Sequence, residues 1–354
     1  MRAFAALAAL ALAPPAGGQA WTDAKAAAVK AAIEQLRTEQ GIPGIGAAIA
    51  ARGELAWAAG FGQADVENAL AVTNDTRFRL GSISKPITAV AAMQLVDQGR
   101  LDLDADIRRY VPGFPKKPWP ITTRQLLAHL GGVRHYQGDE FDSVRRYVSV
   151  LEGLDLFKDD PLVHEPGTEY LYSTHGYSLL GAVVEAAAGR PFVEHVRLAV
   201  LDPAGMASTR DDDAREPIAG RAQGYFKGSD GRLRVSEPAD TSYKIPGGGF
   251  IATAADVARF GSALLEARLL SPASLAAMLT PQKTRAGRAH GYGLGLSVRA
   301  GPPREAWHTG GQQRVSTVMY LRPDSGVVVV LLTNLEGAPG RIEAARRVAE
   351  IVGR

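Results

Sequence analysis

The stretch LGSISKPITAVAAMQLVDQGR, residues 80–100, decides how the rest of the chain is arranged. Its apolar residues recur at the three-and-four spacing of a helix with one buried face, and Gly99 is placed to end that helix. Pro86 is tolerated only in the first turn, where its missing N–H is not needed, so we expect the helix to begin near Ser82. Lys85 then lies one turn further along the same face.

Ser82 and Lys85 together form the chemical minimum for an activated nucleophile. A serine hydroxyl by itself is a weak nucleophile, and an amine whose pKa is lowered by burial can take its proton. A serine that caps a helix, with a lysine in the next turn, is also common on protein surfaces. The pair alone therefore leaves capping and catalysis both open, although no other serine in the chain has a lysine three residues later.

The composition bounds the class of protein. With 354 residues, 46% of them hydrophobic and 22% charged, the chain can build one large domain or two closely packed ones. It contains no cysteine, which excludes disulfides and thiolate metal sites. Acidic and basic residues are interspersed, so no basic stripe points to nucleic acid as a partner.

The first twenty residues resemble a secretory signal. Arg2 supplies a positive charge, residues 3–13 form an apolar run, and Gly18-Gln19-Ala20 is a small-residue cleavage site. We therefore expect export, with a periplasmic or secreted mature chain after cleavage near Ala20; a membrane anchor is the alternative. No later segment reaches the length of a spanning helix, so no membrane span is expected in the mature chain.

Periodicity and turn residues predict the following elements. Helices are expected over 22–40, 121–130, 173–188, 191–201 and 341–352, with further helices beginning at Thr253 and Ser271. Strands are expected over 45–50, 54–59, 291–298, 315–321 and 327–332, with turns at 52–53 and 323–326. Residues 211–246 give no clear pattern.

This order predicts an α/β (α+β) fold with one five-stranded antiparallel sheet. The terminal helices would pack on that sheet, and a second, mostly helical lobe would be inserted between its strands. The expected division is a signal peptide over 1–20 and a catalytic domain over 21–354. Within that domain, the α/β lobe covers about 21–78 and 250–354, and the helical lobe covers about 79–249.

Two further segments carry chemistry-bearing residues. Tyr172 lies in PGTEYLYST, residues 166–174, a turn followed by a cluster of polar and aromatic residues at the start of a helix. Residues 307–311, WHTGG, come just before the strand at Val315, and their paired glycines permit a close backbone approach. Taken singly, the first is explained by core packing and the second by an ordinary loop.

In combination, three motifs resemble those of the serine penicillin-recognising enzymes: Ser82-Ile83-Ser84-Lys85, Tyr172-Ser173-Thr174 and His308-Thr309-Gly310-Gly311. This family contains class C β-lactamases, D-alanyl-D-alanine carboxypeptidases, and related esterases and peptidases. Residues 121–130, 166–177, 247–250 and 292–295 also agree with its pattern. The chain looks most similar to the β-lactamase-like serine peptidase type that also occurs in mitochondria. Three motifs in order are far more specific than any one of them.

The resemblance implies a role for each matching residue. Ser82 would form an acyl-enzyme, while Lys85 and Tyr172 would share the proton, with the phenol kept partly ionised by cationic neighbours. The backbone N–H groups of Ser82 and Gly311 would form the oxyanion hole. Residues implied to bind substrate are Thr174, His308, Thr309 and Gly310. No metal and no other cofactor is implied.

Two departures from the family pattern bear on the substrate. The third motif usually begins with lysine, and here it begins with His308, a poorer anchor for a carboxylate because an unperturbed histidine is mostly neutral at pH 7. The second motif usually ends in asparagine, and here it ends in Thr174. Both changes favour an esterase or peptidase over a β-lactamase.

The expected function is therefore an exported serine hydrolase acting on a small-molecule or peptide substrate with an amide, ester or β-lactam carbonyl. A true class C-like β-lactamase or a D-Ala-D-Ala carboxypeptidase is the alternative within this chemistry, and a non-catalytic penicillin-recognising sensor is the alternative outside it. The chain lacks the G-x-S-x-G, H-E-x-x-H and P-loop motifs of other enzyme classes. Its oligomeric state is not readable from the sequence.

Overall fold

A computed structural model describes residues 21–353 of the chain. The predicted signal peptide, residues 1–20, lies outside the described residues. The strands in chain order are β1 (Gly44–Ala51), β2 (Glu54–Asp65), β3 (Leu70–Ala71), β4 (Phe78–Arg79), β5 (Arg210–Asp211), β6 (Tyr225–Lys227), β7 (Leu233–Val235), β8 (Phe250–Ala252), β9 (Ser297–Arg299), β10 (Glu305–Gln312), β11 (Val315–Arg322) and β12 (Val327–Thr333).

The α-helices alternate with these strands at both ends of the chain and follow one another in its middle. In chain order they are α1 (Asp23–Gln40), α2 (Ser84–Asp97), α3 (Thr123–Leu127), α4 (Val150–Gly153), α5 (Thr174–Ala188), α6 (Phe192–Val196), α7 (Ile245–Gly248), α8 (Ala254–Leu265), α9 (Pro272–Met278) and α10 (Arg341–Gly353). Short 3₁₀ turns precede α2 at Gly81–Ile83 and α7 at Ser242–Lys244.

The main sheet is antiparallel, as predicted, but within residues 21–353 it has seven strands instead of five. Their order is β3-β2-β1-β12-β11-β10-β9. The prediction missed the short β3 and all of β10, because the polar and glycine-rich segment around 307–311 reads as a loop. The strand expected over 291–298 is much shorter, because β9 comprises only Ser297–Arg299, which pair with β10.

Tight turns fix the register of the sheet where the sequence predicted them. Arg52 and Gly53, both at positive φ, join β1 to β2 with Ala51 opposite Glu54. Residues 323–326 join β11 to β12. Gln313 and Arg314 form the two-residue turn between β10 and β11, and Arg314 has a positive φ there.

The alternation of side chains along the strands separates two hydrophobic cores. Ile45 and Ile49 of β1 face a core that the terminal helices α1 and α10 cover. Ala48 and Ala50, on the opposite face, belong to a larger core shared with α8 and with the helices of the middle of the chain. In that core α2 packs against α5 and α7.

The predicted helices are present with adjusted ends. Thr253 caps α8 by accepting a hydrogen bond from the N–H of Asp256, as the sequence indicated. The expected helix over 121–130 is shorter, Thr123–Leu127, because His129 adopts a positive φ. The region 211–246 holds the β6–β7 hairpin and extended segments.

No helix among residues 21–353 is long and apolar enough to cross a membrane.

Candidate active site

Ser82 lies in the 3₁₀ turn Gly81–Ile83 that leads into α2. The turn is fixed on both sides, because the N–H of Leu80 donates to the carbonyl of Phe250 (2.8 Å) and the hydroxyl of Thr317 donates to the carbonyl of Leu80 (2.8 Å). Gly81 has a φ of 53°, a region that favours glycine. A Cβ there would lie 3.1 Å from the backbone nitrogen of Gly311, so glycine also permits β10 to approach the turn.

Lys85 is fully buried one turn after Ser82 and makes three polar contacts. Its Nζ lies 2.9 Å from the Oγ of Ser82, 3.1 Å from the Oγ1 of Thr174 and 2.8 Å from the carbonyl oxygen of Gly247. The predicted Ser–Lys pair therefore forms a hydrogen-bonding unit, not a surface cap. Burial, and the nearby charge of Lys244, hold the pKa of Lys85 well below its ordinary value.

Tyr172 lies just before α5, and its ring centroid is 4.8 Å from the Nζ of Lys85. Burial raises the pKa of the Tyr172 phenol far above its ordinary value, although interaction with the Ser82 side chain partly offsets this rise. The expectation of a partly ionised phenol is therefore wrong for this structure. Desolvation of the phenolate outweighs cationic neighbours here, since the nearest amine, that of Lys85, is itself driven toward its neutral form.

Thr174 begins α5 and is held between two parts of the site. Its backbone N–H donates to the Nδ1 of His135 (3.2 Å), while its hydroxyl accepts from Lys85. Burial lowers the pKa of His135 to about 4, so this ring is neutral at pH 7. The structure thus brings Thr174 to Lys85 and gives its hydroxyl a partner inside the protein.

The two glycines of the third motif have different surroundings on β10. A Cβ on Gly310 would lie only 2.1 Å from both the carbonyl oxygen of Leu80 and the Oγ1 of Thr317. A Cβ on Gly311 would meet no atom within 4 Å, and Gly311 is exposed. The absence of a side chain at Gly310 therefore lets β10 pack closely against the Ser82 turn. Gly311 faces the open side of the site, where an oxyanion hole would need it.

His308 is buried and has both ring nitrogens engaged. Its Nδ1 lies 2.7 Å from the carbonyl oxygen of Thr309, so Nδ1 carries the proton and donates. Its Nε2, 3.0 Å from the hydroxyl of Tyr292, then accepts. Burial and the proximity of Lys85 lower the pKa of His308 to about 3, so the ring is neutral at any physiological pH.

Sequence reasoning missed the network that holds the segment 134–142 beside the site. The guanidinium of Arg134 donates to both carboxylate oxygens of Glu140 (2.8 Å each), and His175 lies 2.9 Å from the same carboxylate. Arg134 and the histidine lower the pKa of Glu140 to about 2 against the effect of burial. Arg134 and Glu140 lie six residues apart, in a segment without a regular helix or strand pattern, and His175 lies 35 residues from Glu140. No local sequence pattern therefore pairs them.

It also missed Lys244, a second buried lysine, whose charge acts on Lys85. The only sequence signal was its place just before Gly247-Gly248-Gly249-Phe250, one of the supporting stretches of the family resemblance.

Among residues 21–353 no group of three or more histidine and carboxylate side chains is placed to hold a metal ion. The chemistry available to the arrangement is that of a hydroxyl, an amine, a phenol and backbone N–H groups.

Comparison with known proteins gives one family. The family model described as Beta-lactamase matches residues 29–353. The human serine beta-lactamase-like protein LACTB, mitochondrial, is 31% identical over 302 residues, which are 66% of this chain and 55% of that protein. The chain spans about half the length of this relative and of its mouse and bovine counterparts.

Two other comparisons cover nearly the whole of both chains. Esterase EstB of Burkholderia gladioli is 30% identical over 378 residues, covering 92% of this chain and 94% of the esterase. The solved structure of D-amino acid amidase from Ochrobactrum anthropi SV3 superposes with a TM-score of 0.78 at 25% identity, covering 92% of this chain and 98% of the amidase.

Proposed function

Because this chain belongs to the beta-lactamase family and is a serine hydrolase of the S-x-x-K acyl-transfer type, we propose that it forms an acyl-enzyme on Ser82 and hydrolyses an ester or amide with an uncharged acyl group. The observation that carries this proposal is the set of three contacts at the Nζ of Lys85. The neutral histidines of the site support the uncharged character of the acyl group.

The three contacts support Lys85 as the general base. A neutral amine has two N–H donors and one lone pair. The carbonyl of Gly247 can only accept, and the Thr174 hydroxyl is placed to accept, so these two use both donors. The lone pair then faces the Ser82 hydroxyl, 2.9 Å away, which is the geometry a general base requires. The lowered pKa of Lys85 favours this neutral form.

The proposed reaction proceeds in two steps. Ser82 Oγ attacks the carbonyl carbon while its proton passes to Lys85, and the N–H groups of Ser82 and Gly311 stabilise the resulting oxyanion. Cleavage of the C–O or C–N bond releases the alcohol or amine, which takes a proton from the Lys85 ammonium through the neutral phenol of Tyr172. Water then attacks the ester of Ser82, and the same groups return the proton.

The electrostatics of the site favour an uncharged acyl group. His129, His135 and His308 all have a pKa lowered by burial, so none of them offers a cation at neutral pH. A carboxylate placed beside the third motif would lose its hydration without gaining an ion pair there. This argues against a β-lactam or a D-Ala terminus as the preferred substrate, and it makes β-lactam hydrolysis the second candidate.

The test of the proposed nucleophile uses a fluorophosphonate probe and a p-nitrophenyl ester. We expect wild-type protein to be labelled at Ser82, and Ser82→Ala to lose the label and at least about a thousandfold in kcat/KM. Ser229→Ala, at an exposed serine, is the control and should keep both. A Ser82→Ala protein that still hydrolyses the ester would overturn Ser82 as the nucleophile. A wild-type protein that takes no label and does not hydrolyse the ester would support a non-catalytic sensor.

The test of substrate class compares the neutral ester with a chromogenic cephalosporin. We expect saturable turnover of the ester and a kcat/KM for the cephalosporin at least about a hundredfold lower, because the cephalosporin carboxylate finds no cation at His308. Efficient, saturable cephalosporin hydrolysis would overturn the uncharged-substrate part of the proposal and favour a β-lactamase.

We also propose export, on the strength of the signal-like sequence of residues 1–20. Fractionation of producing cells, followed by mass measurement of the intact protein, tests it. The expected result is a periplasmic or extracellular chain that begins near Trp21. A cytoplasmic chain that retains Arg2 would contradict it.

A further inference from the structure

Lys244 is a buried amine that the reaction proposed above does not use. It has no exposed surface, and its Nζ has no hydrogen-bond partner among residues 21–353. The rings of Phe141, Tyr243 and Tyr136 surround it, with centroids 4.7, 5.0 and 5.1 Å away. These π faces favour the cation only weakly, and burying an amine without an acceptor costs free energy. Packing alone gives no reason for a lysine here.

The position of Lys244 ties it to the catalytic helix. It directly precedes α7, whose carbonyl groups at Gly247 and Pro246 accept hydrogen bonds from Lys85 Nζ (2.8 Å) and from the Thr88 hydroxyl (2.7 Å). A Cβ on Gly248 would lie 3.8 Å from the Cδ of Lys244 and 3.9 Å from the carbonyl carbon of Gly81. The Lys244 side chain therefore runs beside the turn that carries Ser82, on a segment hydrogen-bonded to α2.

We propose that Lys244 is a positioning residue for catalysis, whose buried ammonium keeps Lys85 in the neutral form that takes the proton of Ser82. The inference rests on the proposed function, in which Lys85 is the general base. Two like charges in a poorly solvated interior repel, so protonation of the first amine opposes protonation of the second.

The titration of the two amines agrees with this role. Burial and the charge of Arg79 lower the pKa of Lys244 to about 7, while Asp142 opposes them. Lys244 in turn is the second cause, after burial, of the lowered pKa of Lys85. A charge on either amine therefore opposes a charge on the other, and the pair titrates as a coupled unit.

Asp142 is the carboxylate that acts against the lowered pKa of Lys244, and the histidines and phenols around this amine add no charge. Burial lowers the pKa of His135 and of His175 to about 4, so both rings are neutral near pH 7. Burial raises the pKa of the phenols of Tyr136 and Tyr243, which stay protonated. Arg79 is paired with Asp212 at 2.5 Å.

The experiment measures kcat/KM for a p-nitrophenyl ester from about pH 4 to about pH 9 in variants of Lys244. Lys244→Met and Lys244→Gln remove the charge, and Lys244→Arg keeps it. In the two neutral variants we expect the acid limb of the kcat/KM profile, where activity falls as Lys85 is protonated, to move to higher pH by about one unit. kcat/KM should then be about tenfold lower on that limb and nearly unchanged on the high-pH plateau. Lys244→Arg should restore the wild-type limb.

Lys117→Met is the matched control. Lys117 is also partly buried, but its amine donates to the carbonyls of Lys158 (2.5 Å) and Asp160 (2.7 Å), and it is not among the groups that shift the pKa of Lys85. Its removal should leave the acid limb in place.

Three results would overturn the inference. The first is an acid limb that does not move in either folded neutral variant. The second is a kcat/KM that falls equally at every pH, as for a packing residue. The third is loss of the native circular dichroism spectrum in both neutral variants, which would make the amine a requirement of folding. Failure of the proposed function is distinguishable, since it would appear in wild-type protein as hydrolysis that survives Ser82→Ala.

Discussion

At the scale of single residues, burial decides the chemistry of the site more than charge does. Lys85 and His308 are ordinary bases in water, and both have a pKa lowered by desolvation in the fold. Tyr172 has its pKa raised by the same cause. Burial thereby favours the neutral form of each group, which suits proton transfer and does not suit recognition of an anion.

This neutral lining predicts that substrate preference can be changed at His308. In His308→Lys, an ammonium would stand where the family usually has one, so the ratio of kcat/KM for a carboxylate-bearing cephalosporin to that for a neutral ester should rise by about tenfold or more. His308→Gln, which adds no charge, is the control and should leave the ratio within about threefold. An unchanged ratio in a folded lysine variant would show that the third motif does not contact the substrate's charge.

At the scale of elements, the site is an assembly of one turn, two helix starts and one strand. The Ser82 turn is hydrogen-bonded to Phe250 of β8 and Thr317 of β11, and β10 packs directly against it. Because β10 approaches the turn backbone to backbone at Gly310, this packing depends on glycine at the point of closest approach.

The paired glycines of β10 therefore should respond differently to alanine. Gly310→Ala would place a Cβ 2.1 Å from the carbonyl of Leu80, so β10 or the Ser82 turn must shift. We expect a loss of about 2 kcal/mol in the free energy of unfolding and a strong loss of kcat/KM. Gly311→Ala meets no atom within 4 Å and should stay within about 0.5 kcal/mol of wild type.

Thermal unfolding of the two variants checks this prediction. Equal melting temperatures would mean that β10 does not pack against the turn as closely as the structure has it.

At the scale of the whole molecule, several elements bury neutral histidines. His129 follows α3, His175 lies in α5 and His308 in β10, and each has its pKa lowered by burial; for His175 it is about 4 and for His308 about 3. In the unfolded chain these rings titrate near pH 6.5. Below that pH the unfolded state binds more protons than the native state, so stability must fall as the pH falls.

We accordingly expect the melting temperature to drop as the pH is lowered from about 6.5 to about 4, with each such histidine contributing up to about 1.4 kcal/mol per pH unit within that window. His308→Gln removes one of these groups and should make the drop shallower. The same slope in wild type and variant would show that His308 is protonated in the native state at these pH values.

The sequence by itself determined the fold class and the local pieces of the site. Helix periodicity and Pro86 placed Ser82 and Lys85 one turn apart, and the dipeptide Arg52-Gly53 fixed a hairpin, because such signals involve residues close along the chain. The order of three short motifs identified the family, which the match over residues 29–353 confirms.

The tertiary structure alone decided what depends on distant groups and on burial. β10 pairs with β11 despite a loop-like composition, because its neighbours supply the hydrogen bonds and the space that its glycines need. The neutral phenol of Tyr172 and the charge interaction between Lys85 and Lys244 could not be predicted from the sequence. A pKa follows from the solvent and the charges that remain around a group after folding, and those come from segments up to about two hundred residues away in the chain.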